Sequence, residues 1–516
     1  MDAPLGAEAA AAGVQPRLPT FTHRQVLRVL SGVVLCIFLA AIDQTVVIPA
    51  VPAIAADLHG FNHLAWIVSA YLLTATAATP MYGKLSDIYG RRALLLPAIA
   101  LFVFASMLCG ASQTLAQLIA ARALQGLGGA GLMSMAQAAI ADVVAPRERG
   151  RYQGYMAGAW GVASIAGPVL GGWMTDQFSW RYIFWVNLPI GLAAFALSAR
   201  GLRLLPVGGR TRKPIDLAGA GLIAAVTTAS LLVMSWGGSV YPWSSAPLLA
   251  LMAATLALLA SLIWRERRAA DPLLPPRLFA NATFVRGVAI AALAAAGIFG
   301  ATFLLPLEFQ LTRGVDAATS GSLLVPFLAA NVAGAYGSGQ LARRLGRVKP
   351  ILLGGLALSV IGFLLLAVLD AGDSHLRSVL DMALLGFGIG ACMPTSLVLV
   401  QNAAEHGDVG AATGSLLFLR SMGGAFGSTL VGALLAARFA GRLLQLGVSR
   451  PIDLSALRGG HAAIGLDPAT RALAQQALES GFHLAFFACA AMLGVALAIC
   501  LGLRDAVLKS SAAPSR

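Results

Sequence analysis

The amino-acid sequence predicts an all-α, polytopic membrane protein with fourteen membrane-spanning helices. Of its 516 residues, 58% are hydrophobic and only 11% are charged, and the mean hydropathy is +0.79. A soluble chain cannot bury so much apolar surface, and a disordered chain shows the opposite composition. The apolar residues also form long uncharged runs without period-2 alternation. Such runs indicate helices, because only helices or closed barrels can cross lipid.

The fourteen predicted spans follow one another along most of the chain. They are 28–52, 63–83, 93–112, 115–141, 153–175, 182–204, 217–237, 246–265, 286–311, 317–341, 349–370, 377–400, 410–437 and 481–503. Each boundary is placed to within about 2–4 residues. The first 25 residues contain no apolar stretch, so we expect no cleavable signal peptide and an uncleaved first span.

The basic residues predict the orientation. Lys and Arg total 36, of which 26 fall in the tails and loops on one side of the predicted membrane and 8 on the other. The remaining two, Arg122 and Arg420, lie inside spans. Because basic residues accumulate in cytoplasmic loops, we predict a multi-pass protein of the inner (cytoplasmic) membrane with both termini in the cytoplasm. The net charge of +14 has the same explanation, so no nucleic-acid partner is expected.

The chain also repeats itself. The spacing Gly, six residues, Gly, Arg occurs at 83–92 after span 2 and again at 339–348 after span 10. Farther on, an offset of 260 residues superimposes six pairs of glycines, beginning with Gly126 and Gly386. We therefore predict two pseudo-symmetric six-helix halves in the same orientation, which is the parallel repeat typical of transporters.

This repeat divides the chain into five predicted parts. They are a cytoplasmic tail (1–26), a first six-helix half (27–205), two inserted transmembrane helices (206–268), a second six-helix half with an external loop at 438–480 (269–503), and a second cytoplasmic tail (504–516). The inserted helices are expected at the periphery.

The loop after span 2 carries the first chemical signal. It contains Gly83, Asp87, Gly90, Arg91 and Arg92. Glycines let two helix ends approach closely. A carboxylate such as Asp87 can accept hydrogen bonds from the amides of a helix end and from an arginine. Such a contact can latch one conformation of the molecule.

Two charges inside the spans carry the second signal. Asp43 is the only acid well inside any span. It lies about 15 residues from the inner end of span 1, roughly 22 Å deep, and Arg122 of span 4 lies at a similar depth. A lone charge in hydrocarbon costs several kcal/mol, so we expect the two to pair. A carboxyl between burial and an arginine can exchange a proton when its surroundings change. A static ion pair that only fixes the two spans is the alternative.

Span 5 contains Gly158 through Gly161, Gly167, Pro168, Gly171 and Gly172. Pro168 removes a backbone hydrogen bond and favours a kink. The glycines permit close, movable contact with span 8 or 10, although a pure packing role fits them equally well.

Several polar, aromatic and soft side chains are candidates for lining a substrate cavity, since soft side chains adapt to varied ligands. They are Gln44, Gln125, Met133, Trp160, Phe303, Asn331 and Arg420. Such residues are more often core or lipid-facing.

These motifs together resemble the major facilitator superfamily, specifically its fourteen-span drug:proton antiporter (multidrug efflux) branch. The resemblance covers about residues 28–437 and includes the loop 83–92, the run RALQGLG that begins at Arg122, the glycines of span 5 and the acid of span 1. It implies export of drugs by alternating access, with drug resistance as the consequence. It also implies proton coupling at Asp43 and Arg122.

Other function classes lack their signatures. No HExxH, GxSxG or clustered acids indicate an enzyme, and none of the four lysines lies in a GxxxxGK loop that would serve an ATP-driven pump. The five cysteines are scattered through apolar segments, so neither a metal site nor a disulfide framework is expected. We therefore expect no cofactor, only a proton gradient, and as partners protons, the lipid bilayer and a lipophilic or cationic small-molecule substrate. An importer or a specific metabolite exporter remains the alternative, and recruitment of a periplasmic adaptor and an outer-membrane channel is left open.

Overall fold

A computed structural model describes residues 22–58, 65–204, 216–238, 240–312, 323–369, 374–448, 468–505 and 508. The helices in these ranges are α1 (His23–Leu58), α2 (Ala65–Tyr89), α3 (Arg91–Ala111), α4 (Leu115–Val143), α5 (Pro146–Gln177), α6 (Tyr182–Trp185), α7 (Asn187–Gly201), α8 (Leu217–Trp236), α9 (Ala246–Arg268), α10 (Pro276–Ala280), α11 (Ala282–Thr312), α12 (Val325–Leu345), α13 (Lys349–Ala367), α14 (His375–Ala403), α15 (Val409–Gln445) and α16 (Pro468–Leu501). Short 3₁₀ turns occupy Leu202–Leu204 and His406–Asp408.

The long helices account for the predicted spans. When α6 and α7 are taken as one segment, the described residues contain fourteen segments of 19 residues or more. Ten of these are long and apolar enough to cross a membrane by length and composition. The other four are α2, α4, α5 and α12. The predicted all-α membrane fold is confirmed.

The two halves pack in the same pattern. In the first half α1 packs against α5 and α7, while α4 packs against α2 and α3. In the second half α11 packs against α15 and α16, while α14 packs against α12 and α13. Each contact in one half thus has its counterpart in the other. The inserted helices α8 and α9 pack on each other, and α8 also contacts α2 and α15.

Two helix seams join the halves at the end that carries most of the basic loops. At the first seam, α2 meets α15, and a Cβ added at Gly83 would stand 2.5 Å from the carbonyl oxygen of Gly410. At the second seam, α5 meets α12, and a Cβ at Gly150 would stand 2.7 Å from Cα of Gly339. Both crossings require glycine, because a side chain would collide with backbone atoms.

The structure differs from the predicted external loop 438–480 at both of its ends. Helix α15 continues to Gln445 and α16 begins at Pro468, while 449–467 lie outside the described residues. Hydropathy marks only the apolar part of a helix, and polar residues here lower it. The extensions still bury apolar side chains, among them Phe439 and Leu478, so the helices continue beyond the predicted spans.

A buried carboxylate network and two seams

A carboxylate and a guanidinium meet inside the first half. Asp43 of α1 and Arg122 of α4 form an ion pair with 2.7 Å between Oδ2 and Nη1. The side chains are 0% and 1% exposed, respectively. Removing one partner would leave the other buried without compensation, which costs about 3–5 kcal/mol in proteins. The structure therefore brings together the two intramembrane residues for which the sequence predicts a pair.

Neutral side chains complete the hydrogen bonding of the carboxylate. Gln125 Nε2 and Asn187 Nδ2 donate to Asp43 Oδ1 at 2.7 Å and 2.8 Å. Gln125 Oε1 accepts from Arg122 Nη1 at 2.8 Å, and Asn187 Nδ2 also lies 2.9 Å from Ser106 Oγ. The carboxylate thus accepts three hydrogen bonds, which is what a charge at 0% exposure needs.

The guanidinium is held from two further directions. Arg122 Nε donates to the backbone carbonyl of Ile67 at 3.1 Å, and its guanidinium carbon lies 4.6 Å from the ring centre of Tyr71. The ring of Phe184 lies 5.8 Å away. Both rings can stabilise a cation through their faces. Contacts from α2 and α6 therefore fix Arg122 in position around the ion pair.

Sequence reasoning found only part of this network. It assigned Gln125 to a substrate cavity, whereas the side chain is 0% exposed and hydrogen-bonded within the network. It gave no role to Asn187 or Ser106, which are also 0% exposed. A signal existed, since polar side chains inside apolar spans need partners. Which partners they find depends on tertiary packing.

The other cavity candidates of the first half lie close to its core. Gln44 Nε2 donates to the backbone carbonyl of Ala40 at 3.1 Å. Met133 and Trp160 are partly buried and pack against the main apolar cluster of this half. A role in lining a substrate cavity stays a prediction for all three.

Candidates of the second half are more open. Phe303 is 39% exposed, and its ring lies next to Gly432. The Asn331 side-chain nitrogen is buried and makes no hydrogen bond to the described part of the chain. Arg420 is half-buried and forms neither a hydrogen bond nor an ion pair with any described residue. Two hydrogen-bond donors of this half therefore lack an acceptor in the described ranges.

Two span-5 glycines pack against α1, the helix that also carries Asp43. A Cβ at Gly171 would collide with the carbonyl of Val46, and one at Gly167 with the side chain of Thr45. Thr45 Oγ1 also donates to the carbonyl of Ala163 at 2.9 Å. Contact with span 8 or 10 was expected for the span-5 glycines, whereas the atoms nearest to these two belong to α1. Helix α5 instead lies against the helix that carries the acid.

The remaining residues of this motif are placed differently. Gly161 meets Val332 of α12, which is span 10. No atom of the described residues lies within 4 Å of a Cβ built at Gly158 or Gly172. Pro168 lies within α5, which continues through it. Span 5 therefore contacts both α1 and the opposite half.

The Asp87 carboxylate crosses from one half to the other. Its two oxygens accept hydrogen bonds from the backbone amides of Gly410 at 3.0 Å and Ala411 at 2.8 Å, at the start of α15. Arg91 Nη2 pairs with it at 2.8 Å. Carboxylates are stabilised at helix N-termini by the unpaired amides and the helix dipole. This carboxylate therefore ties α2 to the N-terminus of α15.

The rest of the loop supports this contact. Gly90 has a φ of 87°, which an L side chain rarely adopts. Arg91 also bonds Asp142 of α4 with 2.9 Å between Nε and Oδ2, and its Nη1 donates to Ser86 Oγ. Arg92 is exposed. The turn at Gly90 thus lets Arg91 reach two carboxylates at once.

The second seam has the opposite polarity. Arg343 occupies the repeat position of Asp87, but its backbone carbonyl accepts a hydrogen bond from Arg147 Nε at 2.8 Å. Arg147 Nη2 reaches the carbonyl of Arg344 at 3.5 Å. A cation thus contacts the C-terminal end of α12, where the helix dipole favours positive charge.

The segment 269–281 bridges both halves near the first seam. Asp271 pairs with Lys84 of α2 at 2.6 Å, and Arg277 pairs with Asp408 beside α15 at 2.7 Å. Lys84 and Asp271 are largely buried, with side chains 8% and 11% exposed. This connection from the inserted helices therefore adds two ion pairs to the closed end of the molecule.

The inserted pair has an ionic contact of its own. Asp216 precedes α8, accepts from the backbone amide of Gly219 at 2.9 Å and pairs with Arg265 of α9 at 2.8 Å. The hydrogen bonds from Arg265 lower the pKa of the Asp216 carboxyl below its ordinary value. An ion pair therefore joins the start of α8 to the end of α9.

Comparison with known families identifies the unit that is repeated. A family model described as the Major Facilitator Superfamily matches residues 33–224 and, a second time, residues 217–428. The first match covers the first half, and the second begins at the inserted helix α8 and ends within α15.

Relatives are similar over most of this chain. An uncharacterized MFS-type transporter of Mycobacterium tuberculosis is 37% identical over 407 residues, which are 79% of this chain and 59% of the relative. The chain thus spans about three fifths of that relative's length. The multidrug transporter protein MdtP of Bacillus subtilis is 37% identical over 417 residues, 80% of this chain and 76% of MdtP. The MFS-type efflux pump LUC4 of Fusarium sp. is 34% identical over 415 residues, with 78% and 73% covered.

Solved structures share the fold. The proton:xylose symporter XylE bound to 6-bromo-6-deoxy-D-glucose superimposes with a TM-score of 0.63 at 15% identity, covering 94% of this chain and 97% of XylE. The human organic anion transporter MFSD10 gives a TM-score of 0.61 at 15% identity, with 92% and 99% covered. At such identity the likeness establishes the fold alone.

Proposed function

The chain belongs to the Major Facilitator Superfamily, and from that premise we propose that it exports lipophilic or cationic drugs and other toxic compounds in exchange for protons. It is a multi-pass membrane transporter and not an enzyme. The proposal makes it a secondary active exporter that works by alternating access in the inner membrane, with both termini cytoplasmic.

The buried ion pair carries the proposal. Asp43 is 0% exposed and accepts hydrogen bonds from Arg122, Gln125 and Asn187. Protonation would remove the charge that attracts Arg122 and leave the guanidinium in need of another partner. The helices that supply these groups belong to the half that must move against the other. We propose that the network binds the ionised carboxyl more tightly in one orientation than in the other, so that a proton on Asp43 changes their relative free energies.

Asn187 can serve both charge states of the carboxyl. Its Nδ2 donates to the ionised Asp43, while its own Oδ1 is buried and has no hydrogen-bond partner in the described part of the chain. A rotation of the amide would turn this oxygen towards a protonated Asp43, whose O–H is then a donor. Asn187 thus gives the proton a hydrogen-bond acceptor inside the network.

The first seam provides the conformational latch. In the closed arrangement, the Asp87 carboxylate binds the amides of Gly410 and Ala411 across the seam. Opening of this end requires these hydrogen bonds to break, which leaves the start of α15 without its acceptor. We propose that Gly83, Asp87 and Arg91 set the stability of this closed state.

The names of relatives support export. MdtP is named a multidrug transporter, and LUC4 an efflux pump. The contacts of Gly167 and Gly171 with α1 support a link between the span-5 motif and the helix that carries Asp43. An importer or a specific metabolite exporter of the same superfamily is the alternative.

Transport into inverted membrane vesicles tests this function. A panel of fluorescent compounds, such as ethidium, Hoechst 33342 and rhodamine 6G, is presented with and without an inwardly acidic pH gradient. We expect uptake that depends on the gradient and stops when nigericin collapses it. Uptake that ignores the gradient would refute proton antiport, and efflux from loaded vesicles driven by the same gradient would favour an importer.

A further inference from the structure

The second half carries an arginine at membrane depth that differs from Arg122. Arg420 lies eleven residues into α15, about 16 Å from the start of that helix. It is half-buried, and it makes no hydrogen bond or ion pair with any residue that the structure describes. An intramembrane cation without a partner is costly, and such residues mark ligand or ion pathways.

Helix geometry places this arginine on the inner side of the molecule. Thr413 lies seven residues earlier, on the same helix face, and its hydroxyl accepts from Gln401 of α14 at 3.1 Å. Four residues later, Gly424 lies against the ring of Phe299 of α11. Arg420 therefore faces the region between α11 and α14.

The opposite face of α15 is occupied by other helices. Phe418 and Met422 pack in one apolar cluster with Ile223 of α8 and Leu262 of α9. At 100° per residue, these two side chains lie on the far side of the helix from Arg420. The guanidinium therefore points away from the inserted helices and towards α11 and α14.

The acid of the first half is not free to bind a cation in this conformation. Asp43 is 0% exposed, and its carboxylate is occupied by Arg122, Gln125 and Asn187. On α12 of the second half, the Nδ2 of Asn331 is likewise buried without a partner among the described residues. Arg420 and Asn331 thus both require an acceptor that the described chain does not supply.

We propose that Arg420 binds an acidic group of the transported compound, so that the preferred substrates are lipophilic molecules with a carboxylate, zwitterions included. The inference rests on the proposed export function and narrows its substrate class. A guanidinium binds a carboxylate through two parallel hydrogen bonds. Such a contact satisfies Arg420 only while substrate is bound, whereas Arg122 already has a carboxylate partner, Asp43, within the protein.

A matched pair of ligands tests this class. Norfloxacin carries an amine and a carboxylate, and its ethyl ester keeps the same ring system and the amine but lacks the acid. Binding of each compound to the purified full-length protein is measured by quenching of intrinsic tryptophan fluorescence. The variants are Arg420→Gln, Arg420→Lys and the control Arg438→Gln, which alters an exposed arginine near the other end of the same helix.

We expect the wild type to bind norfloxacin at least about tenfold more tightly than the ester, as a charge-assisted hydrogen bond allows. Arg420→Gln should abolish this preference by weakening norfloxacin alone, Arg420→Lys should keep part of it, and Arg438→Gln should leave it unchanged. Equal binding of acid and ester by the wild type, or equal weakening of both by Arg420→Gln, would overturn the proposal.

Transport separates this proposal from the one on which it rests. If the wild type prefers norfloxacin in binding but does not accumulate it in inverted vesicles under a pH gradient, the export function fails and the role of Arg420 stands. If it accumulates the ester as well as norfloxacin and also binds both equally, export stands and the acidic substrate class is wrong.

Discussion

The two halves share one packing pattern but treat their membrane arginines in opposite ways. Arg122 in the first half is 1% exposed and bonded to Asp43, Gln125 and a backbone carbonyl. Arg420 in the second half is half-buried and has no partner in the described part of the chain. A repeat can thus preserve helix contacts while one copy holds a neutralised charge and the other leaves its charge available to a ligand.

The two seams between the halves also differ in their charges. Close glycine crossings occur at both, Gly83 with Gly410 and Gly150 with Gly339. At the first seam a carboxylate binds the amides of a helix start, and at the second an arginine binds the carbonyls of a helix end. Close packing requires glycine at both seams. The charges can differ, because a negative charge is favourable at a helix N-terminus and a positive charge at a helix C-terminus.

The largest expected effect comes from removing the negative charge of the buried ion pair in the first half. Asp43→Asn keeps the shape and some hydrogen bonding of the side chain but cannot ionise. We expect loss of uphill, pH-driven efflux, while substrate exchange without a gradient persists because the binding surface is unchanged. Both are measured with dye-loaded proteoliposomes.

A carboxylate on the same helix provides the control. Asp57 is 47% exposed and pairs with Arg181 outside the network. Asp57→Asn should retain uphill efflux. If Asp43→Asn pumps against a gradient at the wild-type rate and proton stoichiometry, the coupling assignment is wrong.

Removal of the cation should damage folding as well as transport. Arg122→Ala leaves the Asp43 carboxylate buried without its partner, at a cost of about 3–5 kcal/mol. The double variant Asp43→Asn, Arg122→Ala removes both charges and should cost less than the two single losses combined. Thermal unfolding of the purified variants measures this coupling, and strictly additive losses would contradict a functional pair.

The two seams predict unequal effects. Asp87 has a side chain only 8% exposed and bonds two backbone amides across the first seam. Arg147 is exposed at the second seam, where an ionic contact contributes little. Asp87→Ala should therefore reduce transport at least about tenfold, whereas Arg147→Ala should change it by less than about threefold.

Accessibility of engineered cysteines checks the latch directly. In Asp87→Ala, cysteines on the cytoplasmic side of the first seam should react faster with a membrane-impermeant maleimide, and membrane insertion should be normal. Equal labelling and full transport would mean that the loop 83–92 is only a solvated, basic connection.

The sequence predicted the helical spans and the meeting of Asp43 with Arg122, because hydropathy and the cost of a buried charge are local signals. It could not predict that Asn187 reaches the carboxylate or that Gly171 packs on α1, since both depend on how distant helices pack. The helix ends near residues 445 and 468 were missed because hydropathy reports contact with lipid. The sequence likewise could not predict that Arg420 is unpaired, because this depends on which side chains surround it in the described structure.

The smallest expected effect concerns an ion pair that belongs to neither half. Asn caps a helix about as well as Asp, so Asp216→Asn keeps the cap of α8 and removes only the pair with Arg265, whose side chain is 40% exposed. Such pairs contribute less than about 1 kcal/mol. Arg265 lowers the pKa of Asp216, so the stability that the ion pair contributes is present above the ordinary carboxyl pKa and is lost as pH falls through the lowered value.

The Asp216→Asn variant should unfold at a slightly lower temperature than the wild type at neutral pH. The difference should vanish in acid, and transport should be unchanged. A large loss of transport would instead place the inserted helices within the mechanism and end the contrast between two active halves and a passive insertion.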